Sequence, residues 1–212
     1  MQKIACFTEA DFNLLCDKLA DKDKDLNDII VQFGYPFFWH REASFKTLIH
    51  IILEQQVSLA SAKAALNKLQ EKLGNITPTN LLLLNDEELK ACYFSRQKTV
   101  YAKGIANAIV NNELLFDELC LLDDDTIRVK LTQLKGIGNW TVDVFLMMVL
   151  HRCNLFPLGD IALMKSIKEV KQLPPNTTKE AILKIADKWQ PYKTIAAYIL
   201  WWAYIKKRNI KL

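Results

Sequence analysis

Two glycines separate two helix-like segments in the second half of this sequence. Residues 134–144 read LKGIGNWTVDV, between TIRVKLTQL and VDVFLMMVL, whose apolar spacing is typical of helices. Glycine takes positive φ without steric cost and lets another backbone approach closely. A GIG turn between two helices therefore predicts a tight helical hairpin. We expect Gly138 to adopt the positive φ and Ile137 to fill the space between the helices.

The rest of the chain is predicted to be helical as well. Its 212 residues include six glycines and six prolines, and half are hydrophobic, so few residues break helices and many can form a core. No internal repeat or linker divides the sequence. We therefore predict one all-α domain over residues 1–212. Its helices are expected at 9–19, 43–54, 58–73, 97–111, 123–134, 139–150, 159–171, 178–188 and 191–207.

The C-terminal segment of the chain is basic. The net charge is only +4, but residues 188–212 contain lysines and an arginine and no Asp or Glu. Such a segment indicates either an anionic partner or a plain solvated tail, and charge alone does not distinguish the two.

Several classes of protein are excluded by what the sequence lacks. The five cysteines are scattered without a CxxC pair, which indicates reduced thiols rather than a disulfide framework or an iron–sulfur cluster. The three histidines have no metal-ligand spacing, and no nucleotide-binding motif is present. The longest apolar stretch, 195–205, is too short to cross a bilayer, and the first residues lack a signal-peptide core. We expect no cofactor, no membrane partner and a cytosolic setting.

The GIG turn also predicts an anion site. The backbone N–H groups of Gly136, Gly138 and Asn139 should lie at the N-terminus of the following helix. Free N–H donors and the helix dipole bind an anion there, most simply a phosphate. The alternative is an ordinary turn between two helices, with a glycine at the helix C-terminus.

A single carboxylate stands in an apolar run shortly after the hairpin. Residues 154–167 read NLFPLGDIALMKSI, and Pro157 and Gly159 interrupt the chain just before Asp160. Asp160 either caps the helix that follows or serves as a catalytic carboxylate at a helix N-terminus, where the dipole favours negative charge. One side chain can do both. Asp143, in the second hairpin helix, is a weaker candidate because a bracing hydrogen bond explains it adequately.

Several stretches of the sequence resemble segments of the HhH-GPD superfamily of base-excision DNA glycosylases and follow one another in the order found in that superfamily. Within the superfamily, the resemblance is to the 3-methyladenine DNA glycosylase II branch (AlkA type). The resemblance implies an all-α helix–hairpin–helix fold in its compact form, without an N-terminal β domain. It also implies two subdomains with the active site in the cleft between them: residues 58–150, which contain the hairpin 131–150, and residues 1–57 plus 151–212. The stretches are IILEQQVSLASAKAAL (51–66), FSRQKTVYAKGIANAI (94–109), the hairpin, FPLGDIAL (156–163) and WQPYKTIAAYILW (189–201).

The resemblance also assigns roles to residues. It makes Asp160 the catalytic carboxylate. It implies DNA contacts from the hairpin and a DNA wedge at Arg96, an aromatic pocket for the damaged base, and a monovalent cation, Na⁺ or K⁺, on hairpin carbonyls. The DNA-contacting residues would be Lys135, Gly136, Ile137, Gly138, Asn139, Thr141 and Arg96. The base pocket would be formed by Trp140, Trp201, Trp39, Phe38 and Tyr93. The cation would be bound by the backbone carbonyls of Thr132, Leu134 and Ile137. The role of Gln56 stays open between DNA and backbone contact.

The predicted function is excision of alkylated purines, such as 3-methyladenine and 7-methylguanine, from double-stranded DNA in base excision repair. Bifunctional members of the superfamily carry a lysine where Trp140 stands, so the resemblance implies a monofunctional enzyme that leaves an abasic site. We also expect a monomer, located in the bacterial cytoplasm at the nucleoid or in a eukaryotic nucleus. One alternative is a non-catalytic helix–hairpin–helix module, which would not need Asp160. Another is a glycosylase for a different lesion such as 8-oxoguanine, against which Trp140 argues.

Overall fold

The computed structural model describes residues 5–211 and confirms an all-α fold. Over that range there is no β-strand, only one isolated antiparallel bridge between Cys6 and Arg152. The helices are α1 (Glu9–Ala20), α2 (Lys24–Phe33), α3 (Phe45–Glu54), α4 (Leu59–Leu73), α5 (Pro78–Leu82), α6 (Asp86–Ala91), α7 (Arg96–Val110), α8 (Phe116–Leu119), α9 (Asp124–Thr132), α10 (Asn139–Met148), α11 (Ile161–Val170), α12 (Lys179–Ala186) and α13 (Lys193–Lys207).

Every predicted helix is present, and the structure adds α2, α5, α6 and α8. Three of these span only four to six residues, which is too short for a periodic apolar pattern to develop. Helix α2 was missed because it follows a run of charged residues. One of them, Asp23, caps it by accepting hydrogen bonds from the Asp25 and Leu26 amides.

The chain divides into two compact units. The first contains the residues up to His40 together with Leu146–Lys211, and the second contains Arg41–Phe145. The predicted division at residues 57 and 58 differs, because helix α3 groups with the hairpin-containing unit, where it contacts α4 and α7.

The core of the first unit is built around α13. Every residue from Thr194 to Trp201 on this helix is buried, and the helix packs against α1, α2 and α11. Ser166 on α11 donates a hydrogen bond to the Leu200 carbonyl of α13 at 2.5 Å. Helices α11 and α13 therefore meet closely, which matters because one carries Asp160 at its start and the other carries Trp201.

The core of the second unit is built around α3. Leu48, Ile49, Ile51 and Ile52 are all 0% exposed, so this helix is apolar on most of its circumference. Helix α7 packs against α3 and also contacts the short helices α5 and α6. None of the helices among residues 5–211 is long and apolar enough to cross a membrane.

Candidate active site and nucleic-acid interface

The turn before Asp160 is anchored to the first unit's core. Phe156 is 8% exposed, and its ring lies 5.8 Å from that of Trp189. The fully buried hydroxyl of Thr194 accepts a hydrogen bond from the Leu155 amide at 3.1 Å and donates one to the Arg152 carbonyl at 2.6 Å. The chain therefore enters the turn in a fixed position on α13.

Asp160 is the N-cap of α11, as one of the two sequence interpretations predicted. Its Oδ1 accepts a hydrogen bond from the Leu163 amide at 2.7 Å. The same oxygen accepts a second bond from the indole Nε1 of Trp201 at 3.0 Å. A carboxylate bound by two donors from different helices has a fixed orientation, which is what electrostatic catalysis requires. The cap interaction is therefore compatible with a catalytic role.

Aromatic rings surround Trp201. Its ring lies 6.1 Å from that of Trp39, edge to face, and 5.7 Å from that of Tyr198. Tyr198 is completely buried, and its hydroxyl donates to the Met147 carbonyl at 3.0 Å. Of the predicted pocket residues in this unit, the structure brings Trp39 and Trp201 together, and Trp201 contacts Asp160.

Phe38 does not join that group. Its ring packs 5.5 Å from Phe12 and 4.9 Å from His151, and no aromatic contact links it to Trp39 or Trp201 among the residues described. The placement of Phe38 in the base pocket is therefore corrected: its neighbours are core residues.

The hairpin has the expected shape but uses the other glycine. Ile137 is 4% exposed, which confirms that it fills the gap between the helices. The positive φ, +95°, belongs to Gly136, and a Cβ added there would overlap the ring of Tyr101. Gly138 has open space around its Cα and no positive φ, so our assignment of the strained position to Gly138 was wrong. The close approach of Tyr101 is what requires a glycine at 136.

A glutamine from α3 braces the hairpin. The side-chain amide of Gln55 donates to the Gly136 carbonyl and to the Thr141 hydroxyl, both at 2.9 Å. Thr141 is 1% exposed, so it braces the hairpin from a buried position. The DNA contact that we had predicted for it is therefore corrected. Gln56 lies beyond the end of α3, exposed and with a φ of +58°.

The two hairpin helices are joined by an ion pair. Arg128 on α9 binds Asp143 on α10 at 2.6 Å, and its guanidinium also donates to the Asn139 side chain at 3.2 Å. Burial raises the pKa of the Asp143 carboxyl, and the Arg128 guanidinium opposes that shift. The bracing role for Asp143 is confirmed. Asn139 and Gly138 are exposed at the start of α10, so their amides face solvent-accessible space.

The remaining predicted residues lie in the second unit. Trp140 is half-buried in the first turn of α10, and Tyr93 is 62% exposed with a φ of +65°. Arg96 is the first residue of α7, and it lines one surface groove together with Lys135. The structure thus brings Arg96 to the hairpin.

The hairpin carbonyls could hold a cation. Na⁺ and K⁺ are hard cations that prefer oxygen ligands such as backbone carbonyls. The Leu134 carbonyl accepts the Ile137 amide at 3.0 Å, and a carbonyl oxygen retains a second lone pair. The residues at 132, 134 and 137 therefore fit a monovalent cation chemically, and this site stays a prediction.

Sequence reasoning missed two residues of the hairpin. The Gln55 brace and the Tyr101 ring against Gly136 both come from helices far away in sequence. Gln55 did carry a signal, since it is a polar residue at the end of a largely apolar helix. Tyr101 carried none, because an aromatic residue in an amphipathic helix is most often an ordinary core residue.

Comparison with known proteins agrees with this geometry. The profile of the HhH-GPD superfamily base excision DNA repair proteins matches residues 49–191. The DNA-3-methyladenine glycosylase 1 of Schizosaccharomyces pombe is 30% identical over 165 residues, which cover 76% of this chain and 72% of that protein. A DNA-3-methyladenine glycosylase of Bacillus subtilis is 27% identical over 169 residues, covering 74% of this chain but 56% of that protein.

The fold comparison reaches the same family. The structure of S. pombe 3-methyladenine DNA glycosylase in complex with abasic DNA superimposes with a TM-score of 0.81 and 28% identity, over 88% of this chain and 94% of that one. The shared fold and the match over residues 49–191 cover the hairpin, the Asp160 turn and the helices before them. The chain therefore belongs to the HhH-GPD superfamily of base excision DNA repair proteins.

Proposed function

We propose that this protein is a monofunctional DNA glycosylase that excises alkylated purines from double-stranded DNA and leaves an abasic site. The relatives named above are 3-methyladenine DNA glycosylases, and one was solved with abasic DNA. The proposed activity belongs to base excision repair. We also propose that the protein acts as a monomer in the compartment that holds the genome.

The observation that carries the proposal is the fixed carboxylate of Asp160. Cleavage of an N-glycosidic bond builds positive charge on the sugar, as in glycoside hydrolysis. The C1′–N bond breaks and its electrons leave with the cationic base, which becomes neutral. A water oxygen bonds to C1′ and loses one proton to solvent. A carboxylate held by the Trp201 indole and the Leu163 amide stabilises that charge without having to reorient.

The aromatic rings near Asp160 support alkylated purines as the substrate class. A base must leave the helical stack before an enzyme can act on it. An alkylated purine such as 3-methyladenine carries formal positive charge, and aromatic faces attract cations by roughly 0.5–2 kcal/mol each. Trp39 is half-buried beside the buried Trp201, so part of its surface is available for such a base.

The hairpin supports the DNA-binding half of the proposal. It presents backbone amides at the start of α10, where phosphate binds without sequence preference. Na⁺ or K⁺ on the carbonyls of Thr132, Leu134 and Ile137 would add positive charge beside that phosphate. Trp140 takes the place of the lysine found in bifunctional relatives, so no amine is positioned there to form a Schiff base with the sugar.

The proposal is tested by what the protein releases from alkylated DNA. Duplex DNA treated with a methylating agent is incubated with the protein, and free bases are identified by mass spectrometry. We expect 3-methyladenine and 7-methylguanine, with strand breaks only after alkali or heat and no adduct trapped by borohydride. DNA binding without base release would indicate a non-catalytic hairpin module, and a trapped adduct would indicate a lyase.

A further inference from the structure

A surface groove lies between the start of α7 and the hairpin, entirely within the second unit. It has a volume of about 340 Å³ and is lined by Arg96, Gln97, Val100, Tyr101 and Lys135. The first four residues belong to α7, and Lys135 directly precedes Gly136 of the hairpin. The groove therefore adjoins the hairpin, but different side chains form its walls.

The groove is positively charged and contains no carboxylate. Arg96 and Lys135 are both exposed, and within residues 5–211 neither makes an ion pair. Nearby lysines behave differently: Lys103, also on α7, binds Asp86 at 2.6 Å, and Lys72 binds Glu88 at 2.8 Å. Two uncompensated cations facing one concave surface attract an anion.

Tyr101 gives the groove a fixed wall and one more donor. Its ring occupies the space left by the missing Cβ of Gly136, so α7 and the hairpin are in direct contact. The Gln97 side-chain amide donates a hydrogen bond to the Tyr101 hydroxyl oxygen. Because that oxygen accepts a bond from Gln97, the hydroxyl proton can be donated to a third group.

We propose that this groove binds a second DNA backbone phosphate, separate from the phosphate that the hairpin amides bind. Arg96 and Lys135 supply the charge, and Tyr101 supplies a neutral donor between them. Guanidinium and ammonium groups are the usual phosphate contacts of DNA-binding proteins. In this proposal Arg96 contacts the backbone and is not inserted between bases. The inference rests on the proposed function only in taking DNA as the ligand.

The test replaces one DNA phosphate at a time by a neutral methylphosphonate. The probe is a duplex carrying a tetrahydrofuran abasic analogue, and affinity is measured for the wild type, Arg96→Gln, Lys135→Gln, the double variant and Tyr101→Phe. Lys90→Gln, on α6 of the same unit and 73% exposed, is the charge-matched control. For wild type we expect affinity to fall at the hairpin phosphate and at one further phosphate.

The affinity of the groove variants should become insensitive to methylphosphonate substitution only at that further phosphate. On unmodified DNA each charge variant should bind about fivefold more weakly, as for an exposed ion pair. The logarithm of the DNA-binding constant falls linearly with the logarithm of the salt concentration. Because both cations share one phosphate, the double variant should reduce the magnitude of that slope by about 0.9 rather than about twice that. Tyr101→Phe should weaken binding less, and Lys90→Gln should match wild type.

Three results would overturn the inference. The first is a variant profile identical to wild type at every methylphosphonate position. The second is that Arg96→Gln and Lys135→Gln lose their sensitivity to methylphosphonate substitution at two different phosphates. The third is that inorganic phosphate competes less well with the groove variants than with wild type while their DNA binding is unchanged. The groove would then be a site for the free anion. If wild type shows no phosphate dependence at all, the hairpin proposal fails as well, so the two failures are distinguishable.

Discussion

At the scale of the residue, Trp201 has a role beyond the one suggested by its aromatic ring. Its indole Nε1 lies 3.0 Å from Asp160 Oδ1, on the oxygen that also caps α11. The resemblance to the family implied a wall of the base pocket, whereas the geometry adds an orienting bond to the carboxylate. The N–H of Trp201 thus orients Asp160, in addition to the pocket role that the resemblance implies for its ring.

Replacing Trp201 by phenylalanine separates these two contributions. The variant keeps an aromatic ring and loses the donor to Asp160. A hydrogen bond to a charged group is worth about 1.5–3 kcal/mol, so we expect base release to slow by about tenfold to hundredfold. The measurement is single-turnover release of 3-methyladenine, with DNA affinity measured in parallel and expected to stay within about twofold of wild type.

Trp202→Phe is the matched control. It removes an indole N–H one position along the same helix, where the donor serves the Phe33 carbonyl at 3.1 Å and not Asp160. Equal rates for the two variants would contradict an orienting role for Trp201.

The position of Asp160 could be predicted from the F-P-x-x-D spacing. Its bond to Trp201 could not, because it depends on how α11 packs against α13.

At the scale of the element, the hairpin depends on one glycine. The sequence predicted a tight turn at GIG and a buried Ile137, and both are present. It could not show which glycine has the positive φ, because that is decided by the Tyr101 ring from α7. The polarity of Gln55 marks the residue, but local spacing could not identify the Gly136 carbonyl as its partner.

Alanine at each glycine tests this assignment. Gly136→Ala forces a side chain into a positive φ, at about 1–3 kcal/mol, and overlaps Tyr101, which adds about 1–3 kcal/mol. Gly138→Ala meets no atom within 4 Å and should cost under about 1 kcal/mol as a change at a helix N-cap. Urea unfolding and DNA affinity measure both. The assignment fails if Gly138→Ala is the more damaging change.

At the scale of the whole molecule, stability should fall in mild acid. Burial lowers the pKa of His151, with a contribution from His40 beside it, and burial also lowers the pKa of His50. When the pKa of a histidine is lower in the folded than in the unfolded state, its contribution to stability is fully present at pH values above the unfolded pKa, near 6.5. That contribution is lost as the pH falls through this value towards the folded pKa, because the unfolded state then binds the proton more tightly.

His151→Asn should reduce the acid sensitivity. Asparagine tolerates the positive φ of +49° at this position and does not titrate. Between pH 7.5 and 5.5, about one unit on either side of an ordinary histidine pKa, the free energy of unfolding should fall less steeply than in wild type. The difference is at most about 1.4 kcal/mol per pH unit, the limit for one proton. Parallel curves from urea titrations would show that His151 does not contribute.

The fold as a whole was largely predictable from the sequence, and the boundaries of its parts were not. Helical periodicity and scarce glycine identified every long helix except α2. Short helices such as α6 depend on local capping, where Asn85 and Glu88 bind each other's backbone amides. The grouping of residues 41–57 with the hairpin depends on long-range packing of α3, which no local pattern contains.

The central claim is that Asp160 stabilises the transition state and does not merely cap α11. Asp160→Asn keeps a side-chain oxygen for the Leu163 amide and the Trp201 indole, and asparagine caps helices about as well as aspartate. It removes the negative charge that should face the sugar. Fold and DNA affinity should therefore survive.

Single-turnover release of 3-methyladenine by folded Asp160→Asn tests this claim most directly. Loss of preorganised electrostatic stabilisation typically costs about 3–4 kcal/mol, so we expect release to slow by about a hundredfold to a thousandfold. A rate within about tenfold of wild type, equivalent to less than about 1.4 kcal/mol, would contradict the account and leave Asp160 as a helix cap.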